Sequence, residues 1–284
     1  MAALSTWFNG QWHDGDVPIM TAADHGTWLG TLVFDGARYF DGRTPDLDLH
    51  CQRIIRSAAA MGMNAPVTAD FIEGLIREQL AKLNHGDPLY LRPMMWSRSA
   101  APGLIAPDPD DVGFAICIET SKMSKPGDPY ALGVSPFRRP RQDMAVCEAK
   151  AGCLYANNGR IMADAQKRGF SNALSLDFED NVAETASSNV FLVRGGHIST
   201  PVPNGTFLAG ITRSRVIDLL RQDGVEVEET TLTLEDFEDA DEIFLTANAQ
   251  KITPITRYKD RDMGAGQMAG RARALYWDYA ASGQ

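Results

Sequence analysis

Strand-like and helix-like segments do not alternate strictly along this chain, and that order constrains the fold more than any single motif. A strict strand–helix–strand pattern would demand a parallel sheet. Consecutive strands and consecutive helices favour a mixed α/β (α+β) architecture instead. The opening TWFNGQWHDG places Asn9-Gly10 between apolar and aromatic residues, the signature of a hairpin. Residues 29–40, LGTLVFDGARYF, are rich in β-branched and aromatic side chains and predict a strand ending at Asp41-Gly42. Two helices follow back to back. The first covers 46–61, with Leu49, Ile54, Ile55 and Met61 as its apolar positions and Gly62 as its stop. The second opens at Thr68 and aligns Phe71, Ile72, Leu75, Ile76, Leu80 and Leu83. Strands are predicted at 88–96 and 112–119.

The polar stretch 121–130, SKMSKPGDPY, holds a glycine and two prolines and reads as a linker. It divides the 284 residues into a smaller N-terminal domain, 1–120, and a larger C-terminal domain, 131–284, a length that suits two modest domains. Beyond it, strands are predicted near 131–137, 144–149, 172–178, 189–194, 197–200, 225–230 and 241–246. Helices are predicted over 155–169, over 211–223 and from about 265. Neither a G-x-G-x-x-G turn nor a G-x-x-x-x-G-K-S/T loop is present, which removes the main support for dinucleotide or P-loop chemistry.

An apolar share of 44% supports a sizeable core. A net charge of −10 makes a poor polyanion binder, so no nucleic-acid partner is expected. No apolar run reaches membrane-spanning length, and MAALSTWFNGQW lacks the basic and apolar regions of an export signal. No membrane association and a cytoplasmic location are expected. Cys51, Cys117, Cys147 and Cys153 lack C-x-x-C spacing and stand apart from the five histidines, so reduced thiols and no metal site are expected.

Lysine is scarce, with seven in the chain. Six have simple surface explanations: Lys82 late in a helix, Lys122 and Lys125 in the linker, Lys167 at a helix end, Lys251 and Lys259 flanking a Pro-containing loop. Lys150 differs, because its neighbours in MAVCEAKAGCLY are small and apolar and it falls where a predicted strand gives way to a Gly-containing turn. Desolvation there would favour the neutral amine that imine chemistry requires. A lysine reaching solvent from a strand end is the alternative. Glu184, in NVAETASSNVFLV, is either an exposed turn carboxylate or the acid of a site whose small neighbours 185–189 admit a flat ligand. Gly210 before a helix start exposes the amides of Ile211 and Thr212, which suit a phosphate or simply begin a helix.

Together these pieces resemble the fold-type IV pyridoxal 5′-phosphate (PLP) enzymes, a two-domain fold like that of the D-amino-acid aminotransferases. Among them the branched-chain amino-acid aminotransferases are the most similar. The resemblance is carried, in order, by FNG at 8–10, VFDGAR at 33–38, HCQRI at 50–54 and YLRP at 90–93. EAKAGCLY at 148–155, AETASSNVF at 183–191, AGITR at 209–213 and ITP at 252–254 continue it across nearly the whole chain. The resemblance implies a larger C-terminal domain that binds the cofactor, with Lys150 as the Schiff-base lysine. It implies that Glu184 pairs with the pyridine nitrogen, that Tyr155 bonds the ring oxygen and that Leu208 packs on the ring. It assigns the phosphate to Arg53, to the amides of Ile211 and Thr212, and to Asn248, which stands where the family has a threonine.

For the substrate, the resemblance implies Phe34 as an apolar wall, Arg38 as part of the family's F-x-G-x-R run, and Tyr90 with the backbone near Ala249 for the α-carboxylate. Arg92 would take the distal carboxylate of glutamate, or form a structural ion pair. The expected activity is ping-pong transfer of an amino group between a branched-chain L-amino acid and 2-oxoglutarate, by a homodimer whose sites lie at the domain interface with help from the partner's loop. Leu29 replaces a family tyrosine, and 97–108 departs from the family's specificity loop. Transaminases of (R)-amines or D-amino acids, and an aminodeoxychorismate lyase-like enzyme, are therefore the alternatives.

Overall fold

Asn9 (φ 50°) and Gly10 (φ 84°) close the first hairpin of the computed structural model. Two successive positive φ values give the turn whose twist matches paired strands. The structure describes residues 3–83, 85–123, 125, 127–264 and 266–282. They form two units, one of 3–123 with Ala149–Leu154 and the other of 125–148 with Tyr155–Ser282. The expected linker at 121–130 includes Ser124 and Pro126, which lie outside the described residues.

The first unit contains β1 (Ala3–Phe8), β2 (Gln11–Asp14), α1 (His25–Trp28), β3 (Leu32–Phe34), β4 (Ala37–Tyr39), α2 (Leu47–Ala60), α3 (Ala69–Leu83), β5 (Leu89–Ser97) and β6 (Val112–Thr120). Its antiparallel sheet runs β2-β1-β6-β5-β3, with β4 also pairing β5. Side chains alternate along β5. Leu89, Leu91 and Met95 enter a core with Ile54, Ile72 and Ile76 of the two helices, while Tyr90, Arg92 and Met94 stand half-buried on the opposite face. The strand predicted over 29–40 is interrupted. Leu29 ends α1, and Asp35-Gly36 separates β3 from β4.

The second unit contains β7 (Ala131–Val134), α4 (Tyr155–Lys167), β8 (Asn172–Leu176), β9 (Val182–Thr185), β10 (Asn189–Arg194), β11 (His197–Pro201) and α5 (Ile211–Gln222). It continues with β12 (Val227–Thr230), α6 (Leu234–Glu238), β13 (Glu242–Ala247), β14 (Lys251–Pro254), β15 (Arg257–Tyr258), β16 (Arg261–Asp262) and α7 (Gln267–Ser282). Two sheets result, β12-β11-β10-β13-β14 and β16-β15-β7-β8-β9. Leu174 and Val182 of one share a core with Val190, Leu192, Ile243 and Leu245 of the other. The opposite face of the first sheet, marked by the stacked Phe191 and Phe244 rings 4.8 Å apart, belongs to strands that α5 and α7 pack against.

Two expectations need correction. No strand forms over 144–149; residues 141–149 run through turns. Cys147, Ala149 and Ala151 are buried there without ladder pairing, and of the three only Ala151 bridges, to Val33. Lys251 is not at the surface. It is 0% exposed, in β14. The partner that accommodates it lies three residues earlier, in a turn no periodicity reveals.

Candidate active site

In the first unit the site residues gather around β3, β5 and α2. Lys150 is fixed through its backbone: its N–H donates to Ser57 Oγ on α2 at 3.1 Å, and its carbonyl accepts from Phe34 N at 3.1 Å. Its side chain, half-buried, carries Nζ to 4.9 Å from the Phe34 ring centroid. The next residue after Phe34 is Asp35, fully buried. Its carboxylate accepts from Arg53 Nε and Nη2 at 2.7 and 2.8 Å and from Gly36 N at 2.7 Å, and it lies 2.7 Å from His50 Nδ1. Burial alone would raise the Asp35 pKa. The Arg53 charge, together with hydrogen bonds from Arg53 and His50, outweighs that and holds the carboxyl well below the usual carboxylate range. Arg53 is thereby held in one plane by a bidentate pair.

Tyr90 and Arg38 are cross-strand partners, and a Cβ on Gly36 would stand 2.0 Å from the Tyr90 hydroxyl. Gly36 is thus required by the close approach of the tyrosine, not by its backbone angles. Arg38 is fully buried and donates to the Ser121 carbonyl at 2.5 Å. Its Nε and Nη1 have no hydrogen-bond partner among the described residues. Arg92 lies two residues from Tyr90 on the same face, its guanidinium carbon 5.5 Å from that ring's centroid. It forms an ion pair with Glu119 at 2.7 Å. The structural ion pair raised as an alternative for Arg92 therefore exists, and Glu119 is a residue that sequence reading passed over.

In the second unit Glu184 is 7% exposed and sits in β9, so the turn-carboxylate alternative does not hold. Arg139 Nε stands 3.3 Å from Glu184 Oε1, and Asn189 Nδ2 lies 3.5 Å from Oε2. Arg139 also reaches Asn158 of α4 at 2.5 Å, which ties the carboxylate to the helix that Tyr155 begins. The Thr185 hydroxyl serves the turn itself, accepting from Ser188 N at 3.0 Å, while buried Asn172 braces Thr185 and Ser187. Thr185 is therefore structural.

Asn189 joins this carboxylate to the start of α5. Its Oδ1 accepts from Gly210 N at 3.0 Å and its Nδ2 donates to the Leu208 carbonyl at 3.0 Å. A Cβ on Gly210 would fall 2.3 Å from Asn189 Oδ1, which is why glycine caps this helix. Ile211 and Thr212 then begin α5, where first-turn amides have no intrahelical acceptor. Asn189 also pairs in register with Thr246, near the end of β13 and two residues before Asn248. Thr246 Oγ1 and Asn248 Nδ2 are buried and have no hydrogen-bond partner among the described residues. Ala249, next in sequence, is exposed. Unshared amides at a helix start and two orphaned donors on the neighbouring strand end make a set that fits a phosphate. Asn189, Thr246 and Arg139 gave no sequence signal beyond their type, since each is identified by a partner distant along the chain.

Among the described residues, no cluster of three or more His, Cys, Asp or Glu could hold a metal, and no helix is long and apolar enough to cross a membrane.

The model of the amino-transferase class IV family matches residues 32–258. The branched-chain-amino-acid aminotransferase of Pseudomonas aeruginosa is 30% identical over 273 residues, covering 92% of this chain and 87% of that protein. The enzyme of the same name from Escherichia coli K12 is 28% identical over 272 residues, covering 92% and 87%. The crystal structure of an aminotransferase from Brucella abortus, bound to the cofactor PLP, superposes with a TM-score of 0.96 at 49% identity, covering 99% of this chain and 100% of that one. A branched-chain aminotransferase from the archaeon Thermoproteus uzoniensis, solved with norvaline, gives a TM-score of 0.90 at 26% identity, covering 99% and 96%. The match over most of the chain, together with a buried acid, a lysine braced against an aromatic ring and a phosphate-ready helix start, identifies this chain as a member of the class IV aminotransferases.

Proposed function

We propose that this aminotransferase uses PLP to move an amino group between a branched-chain L-amino acid and 2-oxoglutarate in two ping-pong half-reactions. The observation that carries the cofactor reading is the pair of orphaned donors, Thr246 Oγ1 and Asn248 Nδ2, in the unit whose α5 begins with unshared amides. The Brucella abortus relative holds PLP, and the Pseudomonas aeruginosa and Escherichia coli relatives are branched-chain aminotransferases, which supports both halves of the proposal. When bound, the cofactor supplies an aldehyde and an electron-withdrawing ring that takes up charge from the substrate's α-carbon.

In this reading the Ile211 and Thr212 amides and Asn248 would hold the phosphate, and the resemblance gives Arg53 of the first unit the same role. Glu184, oriented by Arg139 and Asn189, holds a proton on the ring nitrogen. Tyr155 donates to the ring oxygen, and Leu208 packs on the ring face. Lys150 Nζ is the catalytic group. It anchors the cofactor between turnovers. Its amine would take the α-carbon proton as a base and return a proton as an acid. Tyr90 and the backbone at Ala249 hold the α-carboxylate, with Arg38 behind Tyr90. Arg92 receives the distal carboxylate of glutamate, which requires its pair with Glu119 to open. Phe34 walls an apolar pocket. Such pockets separate aliphatic side chains by only about 1–3 kcal/mol per methylene, so valine, leucine and isoleucine share it.

The accompanying proposals are a homodimer and a cytoplasmic location. For domain organisation we keep a smaller domain of 1–120, a linker over 121–130 and a cofactor-binding domain of 131–284, with the Lys150 segment grouped with the first unit. The test is a half-reaction panel of L-leucine, L-glutamate, D-alanine and an (R)-aryl amine. The visible absorbance of the holoenzyme should bleach with the two L-donors, return with 2-oxoglutarate, and be missing in Lys150→Ala. A protein that binds no PLP refutes the cofactor, and bleaching by D-alanine or the aryl amine alone refutes the substrate class.

A further inference from the structure

Of the seven lysines, only Lys251 is fully buried. Its backbone sits at φ 62°, in the left-handed region that disfavours a side chain of this kind. It pairs across the tight 248–250 turn with Ala247. Its Nζ donates to Asn248 Oδ1 at 2.7 Å and stands 5.3 Å from the ring centroid of buried Tyr276 on α7. A fully buried lysine on strained backbone is a costly way to complete a β-turn, and this one grips a site residue.

The consequence lies in the chemistry of the amide. An asparagine side chain has one accepting end and one donating end of nearly equal size, whereas an ammonium can only donate. Lys251 therefore binds the oxygen end and turns Nδ2 the other way. That Nδ2 is buried with no partner among the described residues, on the strand end that Asn189 links to the start of α5. Rotated by half a turn, the same amide would point an oxygen at an anion and repel it. We infer that Lys251 is a positioning residue for the cofactor's phosphate, holding Asn248 in the one orientation that makes it a phosphate donor.

This inference rests on the cofactor reading above, and the experiment separates the two. The full-length protein is freed of cofactor and titrated with PLP and, in parallel, with pyridoxal, which lacks the phosphate. Binding is read by absorbance for wild type, Lys251→Met, Lys251→Gln, Asn248→Ala and the Asn248→Ala/Lys251→Met double variant. Lys251→Met should weaken PLP binding about ten-fold and leave pyridoxal binding within about two-fold, the loss of one charge-assisted donor. Lys251→Gln, which keeps an N–H for the Asn248 oxygen, should retain most of the preference for PLP. The double variant should be no weaker than Asn248→Ala, because both act through one amide. Equal weakening of both ligands, or of neither, overturns the inference, as does additivity in the double variant. If Lys251→Met does not fold, Lys251→Ala takes its place under the same criteria: selective loss of PLP binding supports the role, and equal loss of both ligands or of neither overturns it. Wild-type protein that binds neither ligand refutes the cofactor reading instead.

Discussion

Asp35→Asn changes one oxygen to nitrogen at the most heavily bonded carboxylate of the first unit. Asp35 is 0% exposed and Arg53 8%, so the substitution leaves a guanidinium with its counter-charge removed and little water to replace it. Two Arg53 contacts of 2.7 and 2.8 Å, one to Gly36 N at 2.7 Å and one to His50 at 2.7 Å are weakened or inverted together. Breaking a buried pair by neutralising one partner costs about 3–5 kcal/mol. At roughly 2–4 °C per kcal/mol for a domain of this size, the melting temperature should fall by about 10 °C. The pH dependence gives an independent sign. The folded-state pKa of Asp35 lies below its unfolded value of about 3.9, so the stabilisation is fully present above that value and is lost as pH falls through and below it. Scanning calorimetry of wild type and variant between pH 8 and pH 5 should show a constant gap, and one that narrows on further acidification. A shift under about 2 °C, or a gap that widens as pH falls, would refute the account of Asp35 as the ionised anchor of Arg53.

Three further outcomes follow from single contacts. Gly210→Ala places a Cβ 2.3 Å from Asn189 Oδ1 and should release cofactor faster in dialysis while costing about 1–3 kcal/mol of stability in urea unfolding. Gly36→Ala meets the Tyr90 hydroxyl at 2.0 Å and must displace it, raising KM for L-leucine roughly ten-fold in steady-state assays; an unchanged KM would remove Tyr90 from the α-carboxylate site. Burial pushes the Cys51 thiol up to about 12, whereas Cys153 is exposed, so a thiol reagent at pH 8 followed by peptide mapping should label Cys153 and spare Cys51.

Local rules made much of this molecule legible. The Asn9-Gly10 hairpin, both long helices of the first unit, β5 and β6, and the start of α5 after Gly210 follow from turn chemistry and hydrophobic period, which act over a few residues. The same rules misled where burial and pairing part company. Cys147 and Ala149 before Lys150 are buried without forming a strand, and the short strands β9, β14, β15 and β16 carry too few residues to show a period.

The amino-acid order alone determined the mixed architecture, the candidate lysine, the Y-x-R pair on one strand face and the phosphate-ready helix start, because each depends on near neighbours. Tertiary structure decided how those residues are held: Asp35 against Arg53, Arg139 against Glu184, Asn189 between Glu184 and Gly210, Glu119 against Arg92. Hydrogen bonds and ion pairs between chain-distant groups exist only once folding brings their ends within about 3 Å. It is also why Lys251, which reads as a surface cation in the sequence, is in the fold a buried clamp on the Asn248 amide.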